Sequence, residues 1–161
     1  MPINGYYFQD KLVFHSALTL AHMKTANLFR INKNDFSNYE ECLAYFNERL
    51  LEFGLYISIL KEQGQNLLLY VYSKNRLDHI LSHSSIQEFL YQYGYSFDNI
   101  YETLFHLKKR LSKNEFPHEI GIFLGYPLYD VEGFIKNKED YNIVGYWKVY
   151  GNIKNIKKVF D

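Results

Sequence analysis

The chain has 161 residues, 47% hydrophobic and 22% charged, with 18 Lys and Arg against 18 Asp and Glu. These values predict one globular domain over residues 1–161, large enough to bury a core without staples. The charge balance leaves no net field to draw the molecule onto nucleic acid or an anionic membrane. Cys42 is the only cysteine, which excludes an internal disulfide and a multi-cysteine metal site. The longest apolar run, residues 67–72, is about six residues against the roughly 20 needed to cross a bilayer. Residues 1–10 carry neither a basic n-region nor an apolar h-region, so a cytoplasmic location is expected. Sixteen Tyr and thirteen Phe have two readings: core material raised together with Asn, Lys and Ile, or the lining of an aromatic pocket.

Residues 10–20 read as a helix capped by Asp10, with Val13, Ala17 and Leu20 as its buried stripe. Residues 22–30 are irregular, a turn followed by a short edge strand. A second helix opens on a Ser37/Glu40 capping box, repeats Tyr39, Leu43, Phe46, Leu50 and Phe53 at helical spacing, and stops at Gly54. Residues 55–60 and 67–72 form an antiparallel hairpin around Gly64. The second strand lacks polar alternation and is therefore expected in the centre of the sheet, covered on both faces.

A helical block follows. Ser73 caps a helix to Leu81, and Ser84 with Gln87 caps one ending at Gly94. Ser96 caps a third, to about residue 111, with Phe97, Ile100, Leu104, Leu107 and Leu111 inward. Lys108, Lys109 and Arg110 sit where the helix dipole favours cations. Pro117 and Pro127 bracket a stretch in which Ile120, Ile122 and Leu124 alternate like a strand, with Gly121 and Gly125 leaving the other face bare on either side of Phe123. Residues 143–150 read as a strand with Trp147 and Lys148 on opposite faces, and a final helix turns Ile153, Ile156 and Phe160 inward. The expected class is α+β: one small mixed or antiparallel sheet of about four strands with six or seven helices packed on it.

Several residues are candidates for chemistry. His118 and Glu119 stand at the mouth of the presumed strand on opposite faces, either one a candidate general acid, base or ligand. His15 and His22 would lie about 10.5 Å apart along a continuous helix, too far for one metal, though either can serve as an axial ligand to haem iron. Lys24, Arg30 and Lys148 are candidates for holding a propionate or phosphate. His79 and His83, at i and i+4, have the spacing of a zinc clip with no third ligand nearby. Neither Gly-rich phosphate loop occurs, and Lys108–Arg110 lack interleaved aromatics, so nucleic-acid binding is not expected. Tyr146 and Trp147, beside Gly145, would face the Gly121/Gly125 strand across a flat slot, filled either by a planar ligand or by the indole itself.

Residues 116–127, Asp130-Val131, Gly133-Phe134-Ile135 and residues 145–150 resemble the hallmark of the domain-of-unknown-function 3793 family, found in anaerobic Firmicutes and Fusobacteria. The resemblance extends upstream through residues 15–29, Gly54-Leu55 and residues 67–72, and so covers nearly the whole chain. It implies no established reaction. It implies an association with flavodoxins and iron handling, since family members are often encoded near such genes. Where the family tends to read Cys-Ala-Pro-Thr-Leu-Ala-Gly, this chain reads Ser16-Ala17-Leu18-Thr19-Leu20-Ala21-His22. Chemistry that needs that thiolate cannot run on Ser16.

Together these features point first to a cytosolic carrier of a planar anionic cofactor, haem or another tetrapyrrole, or flavin. Its site would be built from His15, His22, Lys24, Arg30, Gly121, Gly125, Tyr146, Trp147 and Lys148. The alternatives are an enzyme using Glu119 or His118 for acid/base chemistry, and an interaction module that docks a flavodoxin-like protein.

Overall fold

The structure, a computed structural model, describes residues 1–113 and 117–136. The chain divides into two compact units, Met1–Leu77 and Asp78–Asp161. The described residues form seven α-helices and one three-stranded antiparallel sheet, an α+β fold. The first unit holds α1 (Gly5–Leu20), β1 (Ala26–Asn32), α2 (Tyr39–Leu50), β2 (Leu55–Gln63) and β3 (Asn66–Ser73). Helix α3 (Lys74–Leu81) begins in the first unit and ends in the second, which continues with α4 (Ser84–Tyr91), α5 (Ile100–Leu111), α6 (Ile120–Phe123) and α7 (Leu128–Lys136).

The sheet runs β1-β3-β2, which puts the uninterrupted apolar strand in the centre as expected. Successive residues point to opposite faces, and both faces of β3 are buried. Leu67, Leu69 and Val71 join Phe8, Leu12 and Phe46 in the core under α1 and α2. On the reverse face Tyr70 stacks on Tyr72 at 4.9 Å, and Tyr72 on its cross-strand partner Tyr56 at 5.5 Å. The strand count among the described residues is three; the strand expected over residues 143–150 and the helix after it lie outside them.

Strand β2 is an edge that the protein blocks. The Asn47 side chain on α2 accepts from the Ile57 N–H at 2.8 Å and donates to the Ile57 carbonyl at 3.0 Å, standing in for a neighbouring peptide. A bulge at Leu60, between Ile59 and Lys61, bends the rest of the strand. Replacing Asn47 with leucine keeps the volume and removes both bonds. The expected loss is about 1–3 kcal/mol, the cost of unpairing part-buried backbone groups. Urea denaturation measures it, and a loss under about 0.5 kcal/mol would mean that the edge needs no cap.

Helix boundaries depart from the sequence reading in instructive ways. Helix α1 starts at Gly5, so Asp10 lies exposed in its middle and caps nothing. Its buried residues are Phe8, Leu12, Ser16 and Thr19, whereas Val13 is 50% exposed. Two of those inward residues are polar, which is why apolar periodicity selects the wrong side. Thr19 Oγ1 lies 2.6 Å from Asn27 Oδ1 and donates to it, while Ser16 occupies a break in helical geometry at φ −127°, ψ 17°. Helices α2 and α5 are capped by Asn38 and Asn99, whose side chains accept from the N–H groups of Glu41 (3.1 Å) and Glu102 (2.9 Å). The predicted caps, Ser37 and Ser96, lie outside these helices; asparagine is an equally good cap, and the buried stripe decides between them. Phe97 consequently precedes α5, and Phe53 is 56% exposed in the 3-10 turn after α2. At α4 the N-cap position belongs to His83, and the predicted partner Gln87 instead donates to the Leu81 carbonyl at 2.7 Å.

The largest correction falls on residues 120–124, which are helical. Ile120, Ile122 and Phe123 are fully buried and Leu124 nearly so. A short apolar run buried on all sides carries no periodicity that separates a helix from a strand. Leu124 N–H donates to the Ile120 carbonyl at 3.1 Å and Tyr126 N–H to the Gly121 carbonyl at 3.0 Å, closing the turn. Gly125 at φ +92° supplies the left-handed residue that ends it. The two glycines are therefore a buried helical position and a helix stop, not bare positions on a ribbon.

Candidate functional site

Glu119 occupies the N-cap position of α6 and is completely buried. The preceding Pro117 opens the turn, with its carbonyl accepting from Ile120 N–H at 3.1 Å. Burying a carboxylate requires partners, and α5 provides the main one. Arg110 Nε donates to Glu119 Oε1, and Nη2 donates to Oε2 at 3.2 Å. The Tyr95 hydroxyl donates to Oε1 at 3.2 Å. The guanidinium lies 4.9 Å over the Tyr93 ring, a contact suited to its flat, weakly hydrated cation. Tyr95 in turn meets the His106 ring edge-on at 4.5 Å, and His106 Nε2 lies 2.7 Å from the Tyr93 carbonyl. Gly94 makes room for this: at φ +90°, a side chain there would be strained, and its Cβ would stand 3.1 Å from His106 Cε1.

Burial, and then the Glu119 charge, raise the Tyr95 hydroxyl well above its ordinary range, so it remains a proton donor. Burial also raises Tyr93, again with Glu119 adding to the effect. For Arg110, burial opposes the charge, but the hydrogen bond and the field of Glu119 outweigh it and hold the guanidinium above its usual value. The cluster is thus a charge-neutral, mutually satisfied lock between α5 and α6. A general base must reach the proton it takes, and here both carboxylate oxygens are occupied by protein. The neighbouring His118 is half-buried, with its ring 5.3 Å from that of Phe134. Because this stretch is helical, the expected opposite-face arrangement of His118 and Glu119 does not arise.

The other candidates divide between the two units. In the first, His15 lies flat on Phe29 at 5.0 Å, with Phe14 edge-on at 4.9 Å. Partial burial, and then the Lys11 charge, lower its pKa from 6.5, keeping the imidazole neutral near pH 7. His22 is exposed in a left-handed turn at φ 60°, and its carbonyl accepts from Arg76. Lys24 is half-buried, which lowers its pKa. Arg30 pairs with Leu68 in the sheet register, on the face opposite that of Phe29 and hence opposite His15. In the second unit, His79 and His83 meet edge-to-face at 4.9 Å. Among the described residues no group of three or more His, Cys, Asp or Glu side chains is placed to hold a metal. Gly121 and Gly125 flank the buried turn after Glu119, while Tyr146, Trp147 and Lys148 lie outside the described residues.

One surface was absent from the sequence reading. The side of α1 turned away from the sheet exposes Tyr6 (70%), Val13 (50%), Phe14 (81%) and Leu18 (53%), and Ile3 and Met23 at its ends are each 70% exposed. The signal was present in the sequence as a helix apolar on more than one side, which in a water-soluble unit marks a face awaiting cover. Arg110 was also misread: three consecutive cations look alike in sequence, and only the fold shows which one turns inward.

The family described as "Protein of unknown function (DUF3793)" matches residues 12–161. The chain belongs to that family. The match takes in α1 from Leu12, the whole sheet, and the Arg110–Glu119 lock of this DUF3793 protein. No curated protein and no solved structure matches it. Among its described residues no helix is long and apolar enough to cross a membrane.

Proposed function

We propose that this DUF3793 protein is a non-catalytic interaction module that meets a protein partner through the outer face of α1. The observation that carries this reading is the exposure of Phe14, Leu18 and Val13 on a helix whose inner side is already satisfied by the sheet. Apolar patches of roughly 300–600 Å² are about the largest that an ordinary monomer leaves in water, and such patches are often functional. The closed Arg110–Glu119–Tyr95 cluster supports the non-catalytic half of the proposal, since it commits the only carboxylate singled out for acid/base work. A flavodoxin-like protein is the partner class that the family association favours. In size-exclusion chromatography with light scattering, the protein should elute as a complex, with a flavodoxin-like protein or with itself. Phe14→Glu combined with Leu18→Glu should dissolve that complex without moving the thermal transition. A monomer under all these conditions would remove the proposal.

A second reading, carriage of a planar anionic cofactor, is favoured by the neutral His15 ring lying flat against Phe29. Haemin or FMN would then titrate the protein to saturation, with a Soret shift or flavin quenching that His15→Ala removes. If either ligand saturates while no protein complex forms, this reading replaces the first.

A further inference from the structure

We infer that the occupant of the α1 face is a second copy of the chain, paired antiparallel about a twofold axis; this rests on the docking reading above. The argument is the order of residues along that face. Ile3, Tyr7, Phe14 and Leu18 follow one another on one stripe at spacings of four, seven and four, with Asp10 and Lys11 between the inner two. The stripe is symmetric about its midpoint, with two apolar positions on each side and one charge of each sign at the centre. Laid against itself in the opposite direction, it sets Ile3 against Leu18, Tyr7 against Phe14, and Asp10 of each copy against Lys11 of the other. A twofold interface must be self-complementary in this way, residue i meeting j while j meets i. A heterologous partner would impose no such symmetry on the sequence.

Three further observations agree. Lys11 sits with its ammonium 5.3 Å from the centre of the Tyr7 ring, and Tyr7 is anchored on Phe36 at 5.4 Å, so both are positioned before any partner arrives. With 18 basic and 18 acidic residues, copies do not repel one another, and no net field favours a charged stranger. The area is also sufficient. At 70%, 42% and 81% exposure, Tyr6, Tyr7 and Phe14 leave roughly 400 Å² of ring surface in water, taking about 200 Å² per ring. Adding Ile3, Val13, Leu18 and Met23 brings the patch near the ~800 Å² per partner of a standard interface.

Sedimentation velocity on the full chain, from micromolar to hundreds of micromolar, tests the inference. The wild type should dimerise. Lys11→Asp places carboxylates opposite one another at both symmetric contacts and should weaken the dimer about ten-fold, two surface ion pairs lost and reversed. Asp10→Lys added to Lys11→Asp should restore it to within about two-fold, because the swapped pair regenerates the same complement. All three positions of this test, including Leu18→Glu as the disrupting control, are on the solvent side of α1, so circular dichroism should be unchanged. A dimer that ignores Lys11→Asp, or a double swap that fails to restore it, overturns the antiparallel register. A monomeric wild type that still binds a flavodoxin-like protein through Phe14 and Leu18 overturns self-pairing and leaves the docking reading intact. A monomer that binds neither removes both.

Discussion

Arg110→Ala is expected to cost about 3–5 kcal/mol of stability, the penalty for stranding a buried charge by deleting its partner. Glu119 is 1% exposed in its side chain, so water cannot take over from the guanidinium, and the Tyr95 hydroxyl satisfies only one of its oxygens. The loss should depend on pH with a definite sign. Without Arg110, burial alone acts on the Glu119 carboxyl and raises its folded pKa above the unfolded value. Such an acid destabilises the fold when ionised, so the deficit should shrink at pH values below the ordinary carboxylate range and grow as pH rises through and beyond it. Replacing both members, Arg110→Leu with Glu119→Met, should recover most of the loss, because the pair is needed mainly by its own halves. Thermal and urea denaturation of the intact chain across pH provide the measurements. A deficit under about 1 kcal/mol, or one indifferent to pH, would mean that the carboxylate is not held as described.

Phe8→Ala should have a comparable effect in the first unit, about 3–5 kcal/mol. Phe8 is fully buried, stacks on Phe46 at 5.2 Å, and meets Phe36 edge-on at 5.9 Å. Removing the ring takes out its own burial and leaves a cavity that a well-packed sheet and two helices can only partly close. Val13→Ala, on the same helix, should stay within about 0.5 kcal/mol. The pair of measurements by urea denaturation decides which side of α1 faces the sheet. If Val13→Ala proved the costlier change, the helix would be rotated from the orientation described, and the proposed docking face would be the core.

How far the residues alone carry the fold can be judged position by position. The central place of β3 was legible because Leu67–Tyr72 contains no position fit for water, a condition that only a strand covered on both faces satisfies. Gly64 at φ 59° and Gly54 at φ 69° were legible because a left-handed residue between periodic segments is a local requirement. Asn38 and Asn99 displaced the serines expected as caps, since several residues near each helix start can cap and only packing chooses among them.

The family, the α+β class and the hairpin thus follow from the sequence itself, because local conformational rules and apolar patterning determine them before any distant contact forms. The orientation of α1, the helical state of residues 120–124 and the partner of Glu119 were decided by tertiary structure. In each, the local signal was balanced: a helix apolar on two sides, a run buried all round, three adjacent cations. Where local preference is degenerate, the free energy of long-range packing and charge pairing makes the choice, and those terms are set by residues distant in the chain.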